Sequence, residues 1–182
     1  MPLGHAALQL DYVVDAWVVA HRARLLDGVM LALSMVGEGG RVWLALAVGL
    51  ALARRVPWRG VAQMTLAILC VLLIVDWVLK PAIGRARPFE RTPALQVMGA
   101  RPADRSFPSG HASGAGAGAV ALTMLAPWGW PLWWATAAAI AYSRVYLGDH
   151  YPLDVIAGGA IGAALAWIVM RIRAKGDRAR RL

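Results

Sequence analysis

The sequence predicts an all-α integral membrane bundle of about five transmembrane helices, preceded by N-terminal interfacial helices, and three observations carry that prediction. First, 59% of the residues are hydrophobic and only 16% charged, with a positive mean hydropathy, far more apolar than an ordinary soluble domain. Second, the apolar residues fall in long runs bracketed by charge, glycine and proline. Third, the charged and titratable residues collect at the ends of those runs, where a bilayer tolerates them.

Taken in order, Asp11 and Asp15 are four apart and share one helical face, while Tyr12, Val13, Trp17 and Val18 turn away, a pattern that fits a helix lying in the interface. Leu25 to Val36 is a second apolar stretch, too short to cross, and Gly37 to Gly40 ends it. The competing reading joins these two pieces into one kinked span. Val42 to Ala53 is apolar between Arg41 and Arg54; counted with its flanks from Gly39, a helix there is about 24 Å long, short against a hydrocarbon core of about 30 Å, and it is taken as the first span. Gly60 to Leu79 is a fuller span, interrupted only by Gln63 and Asp76. Gly110 to Ala126 and Pro131 to Leu147 are joined by the turn Pro127-Trp128-Gly129-Trp130, and Pro152 to Met170 is the last span. The chain thus reads as one domain over 1–182, divided into an interfacial lead-in (1–37), a transmembrane core (38–173) and a basic cytoplasmic tail (174–182).

Other classes are less compatible with the sequence. The net charge of +9 sits at segment ends and in the tail rather than along one soluble face, so a membrane, not nucleic acid, is the expected partner. The single cysteine, Cys70, lies in an apolar run and reads as packing. The N-terminus lacks a basic n-region, and Asp11 and Asp15 interrupt any apolar h-region, so no cleavable signal peptide is expected. Arg54, Arg55, Arg59 and the tail cations read as cytoplasmic anchors. That places the opposite, motif-bearing face outside the cytoplasm of a cell inner membrane.

Three strings stand out: K-x6-R-P (Lys80, Arg87, Pro88), P-S-G-H (Pro108 to His111) and S-R-x5-H-x3-D (Ser143, Arg144, His150, Asp154). Counting crossings puts all three at one membrane level. A phosphate needs cations and directed donors; arginine supplies a planar fork and lysine a point charge, so Lys80, Arg87 and Arg144 fit a cradle. Ser109 can cap a helix, and Gly110 lets an anion approach the free N–H groups at its positive end. His111, with an imidazole pKa of about 6.5, can protonate a leaving alkoxide and later accept a proton from water. His150 and Asp154 stack on one helical face, so Asp154 can fix one ring nitrogen and leave the other free to attack phosphorus. Taken singly these residues also read as snorkelling cations, a helix cap and an i, i+4 pair. No metal site has plausible spacing, and no cofactor is expected.

Together the strings resemble the three-part signature of the type-2 phosphatidic acid phosphatase superfamily, which includes vanadium haloperoxidases and glucose-6-phosphatase. The match covers about residues 76–158, with every signature position occupied. The resemblance implies a metal-free phosphatase in which His150 is transiently phosphorylated, Asp154 orients it and His111 acts as acid and then base. Lys80, Arg87, Ser109, Gly110 and Arg144 would bind phosphate oxygens. Membrane members usually have six spans, one more than expected here. Asp149 is expected to face solvent or cap the last helix, and Asp76 to pair with Lys80 or another buried polar group. The small size resembles bacterial enzymes acting on undecaprenyl diphosphate, ranked first, or on phosphatidylglycerophosphate or phosphatidic acid. A haloperoxidase holds vanadate in the same cradle, but five apolar spans argue against a large soluble enzyme. A non-catalytic transporter or scaffold is the alternative from another class, since Gly110, Gly114, Gly118, Gly158 and Gly162 have the spacing of close helix packing. The loop Phe89 to Phe107, with Leu95, Val97 and Met98, reads as an ordinary loop or a headgroup gate.

Overall fold

The computed structural model describes residues 2–92 and 96–179, with side chains described between 8 and 172 inside those bounds. The side chains of the expected basic tail over 174–182 and Leu95 of the expected gate lie outside the described residues. Nine α-helices occur among the described residues: α1 (Pro2–Ala20), α2 (Arg24–Gly37), α3 (Arg41–Leu52), α4 (Trp58–Ile74), α5 (Lys80–Ile83), α6 (Pro88–Arg91), α7 (Gly110–Leu125), α8 (Trp130–Tyr146) and α9 (Pro152–Ala179). Helices form at all five stretches read as spans. Among the described residues, three runs are long and apolar enough to cross a membrane by length and composition: Arg24–Leu52, Trp58–Arg91 and Pro152–Ile172.

The N-terminal region departs from expectation in one way. The acidic face of α1 turns into the protein: Asp11 and Asp15 are buried, whereas Leu10, Val13 and Trp17 point outward. A helix lying in the interface with its carboxylates toward water would show the reverse; the reason is a cation inside the protein that Asp11 pairs with. α2 stops where expected, at Gly37 to Gly40: Glu38 is extended (φ −62°, ψ 131°) and Gly39 and Gly40 take φ of 61° and 74°, left-handed values that side-chain-bearing residues adopt at a cost, before α3 begins at Arg41. α1 and α2 are separate helices, broken at His21 to Ala23.

The centre of the bundle is α7, whose residues from Ala112 to Ala119 are all buried. Its sequence GHASGAGAGA has almost no side-chain bulk, so the surrounding helices close directly onto its backbone. A Cβ on Gly116 would strike the Gly159 carbonyl of α9, and one on Gly162 would strike the Ser113 carbonyl of α7. Trp43 of α3 fills the space over Gly118, and with Met64, Ile68, Val71, Leu122 and Ile140 it forms the main core. Large apolar side chains such as Leu69, Leu73, Trp77, Leu132, Ile156 and Ile168 face outward, as a hydrocarbon solvent requires. Gly162→Ala is expected to cost about 1–3 kcal/mol by overpacking this contact, measured as a lowered melting temperature in detergent.

Two local devices aim the site residues. Pro81 has no N–H to donate and crowds the preceding turn, and the helix widens to a π turn over Val75–Leu79 just before buried Lys80. Gly84, at φ 65°, ends α5 and releases the chain into Arg85 to Arg87.

Candidate active site

The three motifs meet at one end of the bundle. A cavity of about 370 Å3 is lined by Lys80, Arg87, Gly110, His111, Arg144 and His150, together with Asp76 and Asp104. Lys80 comes from the end of the π turn, Arg87 from the N-cap of α6, Gly110 and His111 from the first turn of α7, Arg144 from the last turn of α8, and His150 from the turn before α9. Random placement would not bring two imidazoles and three cations onto one wall.

His150 is buried, and its two ring nitrogens face different partners. Nε2 lies 3.2 Å from Arg87 Nη1. A guanidinium has donors and no acceptor, so Nε2 is the unprotonated nitrogen and Nδ1 carries the hydrogen. Nδ1 faces Asp154 Oδ2 at 3.6 Å and Ser106 Oγ at 3.5 Å. The Nε2 lone pair therefore points at the cationic wall, toward Arg87. Burial, reinforced by the Arg87 and Arg144 charges, lowers the His150 pKa to about 4 against the opposing pull of Asp154, so the ring is neutral at ordinary pH.

Asp154 is fixed from several sides. Its Oδ2 accepts from the Tyr151 N–H at 3.0 Å and from the Ser106 hydroxyl, and its Oδ1 accepts from Arg85 Nη1 at 2.5 Å. Arg85 reaches the other way to Asp11 Oδ2, also at 2.5 Å, and lies over the Tyr151 ring at 4.2 Å from its centroid. Asp11 Oδ1 accepts from the Leu153 N–H at 2.8 Å, so α1 is tied to the first turn of α9. Beside it, burial and the Asp11 charge raise the Asp15 pKa to about 7.

The remaining expected residues divide. Arg87 donates through Nε to the Asp104 carbonyl at 2.8 Å and through Nη1 to the Asp149 carbonyl at 2.8 Å, which holds its fork rigidly. Arg144 pairs with the Asp149 carboxylate and with Ser34 of α2. Asp149 is thus buried, contrary to its expected place in solvent, because a neighbouring guanidinium needs a counter-charge. Asp76 pairs with Lys80 at 2.6 Å as expected. Ser109 is not on the cavity wall: its Oγ accepts from the Ala112 N–H at 3.4 Å as the N-cap of α7, and its own N–H donates to the Asp154 carbonyl. Its neighbour Gly110 does line the cavity.

Arg85, Ser106, Asp104 and Asp11 escaped the sequence reading. The one available signal was Arg85 standing two residues before Arg87 in the same string; nothing in the spacing of Asp11 or Asp104 ties them to the motifs. Among the described residues no group of three or more His, Cys, Asp or Glu is placed to hold a metal ion. What the arrangement can do chemically is bind a multiply charged oxyanion and present to it one neutral, oriented imidazole nitrogen, with a second imidazole on the same wall.

Comparison with known proteins points to one family. The family model described as "PAP2 superfamily" matches residues 60–178. An undecaprenyl-diphosphatase of Sulfolobus acidocaldarius is 37% identical over 153 residues, covering 83% of this chain and 72% of that protein. A decaprenylphosphoryl-5-phosphoribose phosphatase of Mycobacterium tuberculosis is 36% identical over 176 residues, covering 91% and 94%. Among solved structures, a transmembrane PAP2-type phosphatidylglycerolphosphate phosphatase from Bacillus subtilis superposes with a TM-score of 0.74 at 25% identity, covering 93% of this chain and 87% of that one. With its signature strings gathered on one cavity and the family match running across most of its length, the chain belongs to the PAP2 superfamily.

Proposed function

We propose that this lipid phosphatase removes the terminal phosphate of a polyprenyl diphosphate, undecaprenyl diphosphate first among them, through a phosphohistidine and without a metal. The observation that carries the reading is the unprotonated Nε2 of His150 on a wall it shares with three cations and His111. Lys80, Arg87, Arg144 and the N–H groups opening α7 hold the phosphate oxygens. His150 Nε2 attacks phosphorus, the P–N bond forms as the P–O bond to the leaving group breaks, and His111 protonates that leaving group. His111 then takes a proton from water, whose oxygen attacks phosphorus; the P–N bond breaks, and inorganic phosphate leaves with His150 restored. Asp154 stabilises the positive charge that the His150 ring carries while Nε2 is bonded to phosphorus.

Two further observations support a lipid leaving group. A second cavity of about 330 Å3 shares His111 and Arg144 with the first and is walled by Leu31, Met35, Met98 and Leu147. It offers an apolar chain a place beside the acid. Two of the similar proteins are named for polyprenyl substrates. Phosphatidylglycerophosphate is the second reading, favoured by the Bacillus subtilis structure. Arg54, Arg55 and Arg59 between and within α3 and α4 lie at the bundle end remote from the cavity and support an orientation with the site on the extracytoplasmic face of the inner membrane.

The test is a phosphate-release panel in detergent on polyprenyl diphosphate, phosphatidic acid and phosphatidylglycerophosphate, each with and without EDTA. Release is expected to be fastest from the polyprenyl diphosphate and to persist under chelation. A faster rate on either glycerolipid reassigns the substrate, and loss of all activity with EDTA overturns the mechanism.

A further inference from the structure

The cationic wall is already occupied by an anion of the protein itself. Asp104 lies on the irregular segment between α6 and α7, held by no helix. Its Oδ2 is 2.5 Å from Lys80 Nζ and its Oδ1 is 2.6 Å from Arg87 Nη2, so one carboxylate spans two of the cations assigned to phosphate. A carboxylate and a phosphate each offer paired oxygens to such donors, which is why the same cations recognise either. The Asp104 side chain is 49% exposed, whereas those of Lys80 and Arg87 are almost entirely buried, as suits a group that can leave and a site that stays.

The two cations hold Asp104 differently. Lys80 keeps a second carboxylate, Asp76, one turn earlier on its own helix, at 2.6 Å. Arg87 has the Asp104 carboxylate as its counter-ion, but its fork is also positioned by two main-chain carbonyls, Asp149 at 2.8 Å and that of Asp104 itself at 2.8 Å, which a change of the Asp104 side chain leaves in place. Loss of the carboxylate therefore frees a charge on Arg87 without removing the bonds that aim it. Burial alone would push the Asp104 carboxyl up, but Lys80 and Arg87 hold it down at about 2, so it is anionic whenever substrate arrives.

We propose that Asp104 is a specificity-determining residue, a resident carboxylate that sets a charge threshold: a doubly ionised terminal phosphate displaces it from Lys80 and Arg87, and a singly charged phosphodiester does not. The inference rests on the cavity being the phosphate site. Its physical basis is an exchange of anions. A phosphodiester brings one charge to replace one charge, and must do so against a carboxylate tethered at an effective concentration in the millimolar range or above. A terminal phosphate brings a second charge to a wall of three cations, Lys80, Arg87 and Arg144, and gains the additional attraction. A bilayer surface is crowded with phosphodiester headgroups, so an open cationic pocket at that level would be filled by bulk lipid. Asp104 keeps it available for the rarer terminal phosphate.

The test compares wild type with Asp104→Asn, Asp104→Ala and Asp104→Glu, using dimethyl phosphate as the singly charged diester and inorganic vanadate as an oxyanion that mimics phosphate. Dimethyl phosphate is expected to inhibit wild type and Asp104→Glu poorly and to compete in Asp104→Asn and Asp104→Ala, with its inhibition constant lowered at least about tenfold. The KM for the lipid substrate falls in the same two variants, and vanadate binds them more tightly. Calorimetric titration of dimethyl phosphate reads the same ratio without turnover. An unchanged diester affinity in both neutral variants overturns the proposal, as does a KM that rises in both, which would assign Asp104 to holding Lys80 and Arg87 in place. Wild type that releases no phosphate from any lipid would refute the proposed function, while the calorimetric ratio would still decide the role of Asp104.

Discussion

Alanine at position 150 is expected to lower phosphate release by about four orders of magnitude or more, the scale seen when a nucleophile that works as part of a unit is removed. The fold should survive. His150 is an end residue of the turn before α9, and Arg87 retains its hydrogen bond to the Asp149 carbonyl after the imidazole is gone. The melting temperature in detergent should therefore stay near that of wild type while turnover vanishes. Quenching wild type during turnover of a terminally 32P-labelled lipid should trap label on the protein, in the acid-labile, base-stable manner of a phosphoramidate, and the variant should trap none. Turnover within tenfold of wild type would exclude His150 as the nucleophile and leave the cavity to a direct attack by water.

Arg85→Met carries the second large effect, and no spacing in the sequence announces it. The guanidinium sits between Asp11 and Asp154, whose side chains are both fully buried, at 2.5 Å from each. Removing one partner of a buried pair strands the other as an uncompensated charge, at about 3–5 kcal/mol. Here two carboxylates are stranded together. They respond by taking up a proton, and a protonated Asp154 no longer favours the hydrogen on His150 Nδ1 or the positive ring formed on phosphorylation. The variant should lose several degrees or more of melting temperature and at least about a hundredfold in kcat, by the logic of a misplaced tautomer. Asp11→Asn separates the two consequences: it loosens α1 but leaves the pair of Arg85 with Asp154, so its stability should fall with a smaller loss of kcat. Wild-type stability together with wild-type kcat in Arg85→Met would show that the two contacts are idle.

The sequence made the motif residues legible because their spacing is dictated by helices. His150 and Asp154 are one helical turn apart, and Lys80, Gly110, Arg144 and His150 end or begin apolar runs, so counting crossings sufficed to bring them together. Asp11 shows where that logic stops. Its i, i+4 relation to Asp15 revealed a polar face, but not that the face would meet Arg85 from a loop more than seventy residues away. Amphipathic patterning says which residues share a side; it does not say whether water or a buried guanidinium lies beyond. Asp149 failed for the same reason, as its counter-charge Arg144 lies on another element. Ser106 and Asp104 belong to an irregular segment with no period to read. The stop over Gly37 to Gly40 was legible because paired glycines supply the left-handed φ that ends a helix, and Gly39 and Gly40 both adopt it before α3 begins.

The glycine-to-carbonyl contacts between α7 and α9 bear on how a bulky amphiphile reaches its destination. His111 rides at the head of α7 and His150 immediately ahead of α9, and with Gly158 and Gly162 seated against the Ser109 and Ser113 backbone there is no compressible layer between those helices. The two imidazoles are consequently carried by a pair of helices in direct backbone contact. A long hydrocarbon tail therefore finds no entrance between those two helices, and its way to the phosphate pocket runs around their seam rather than through it.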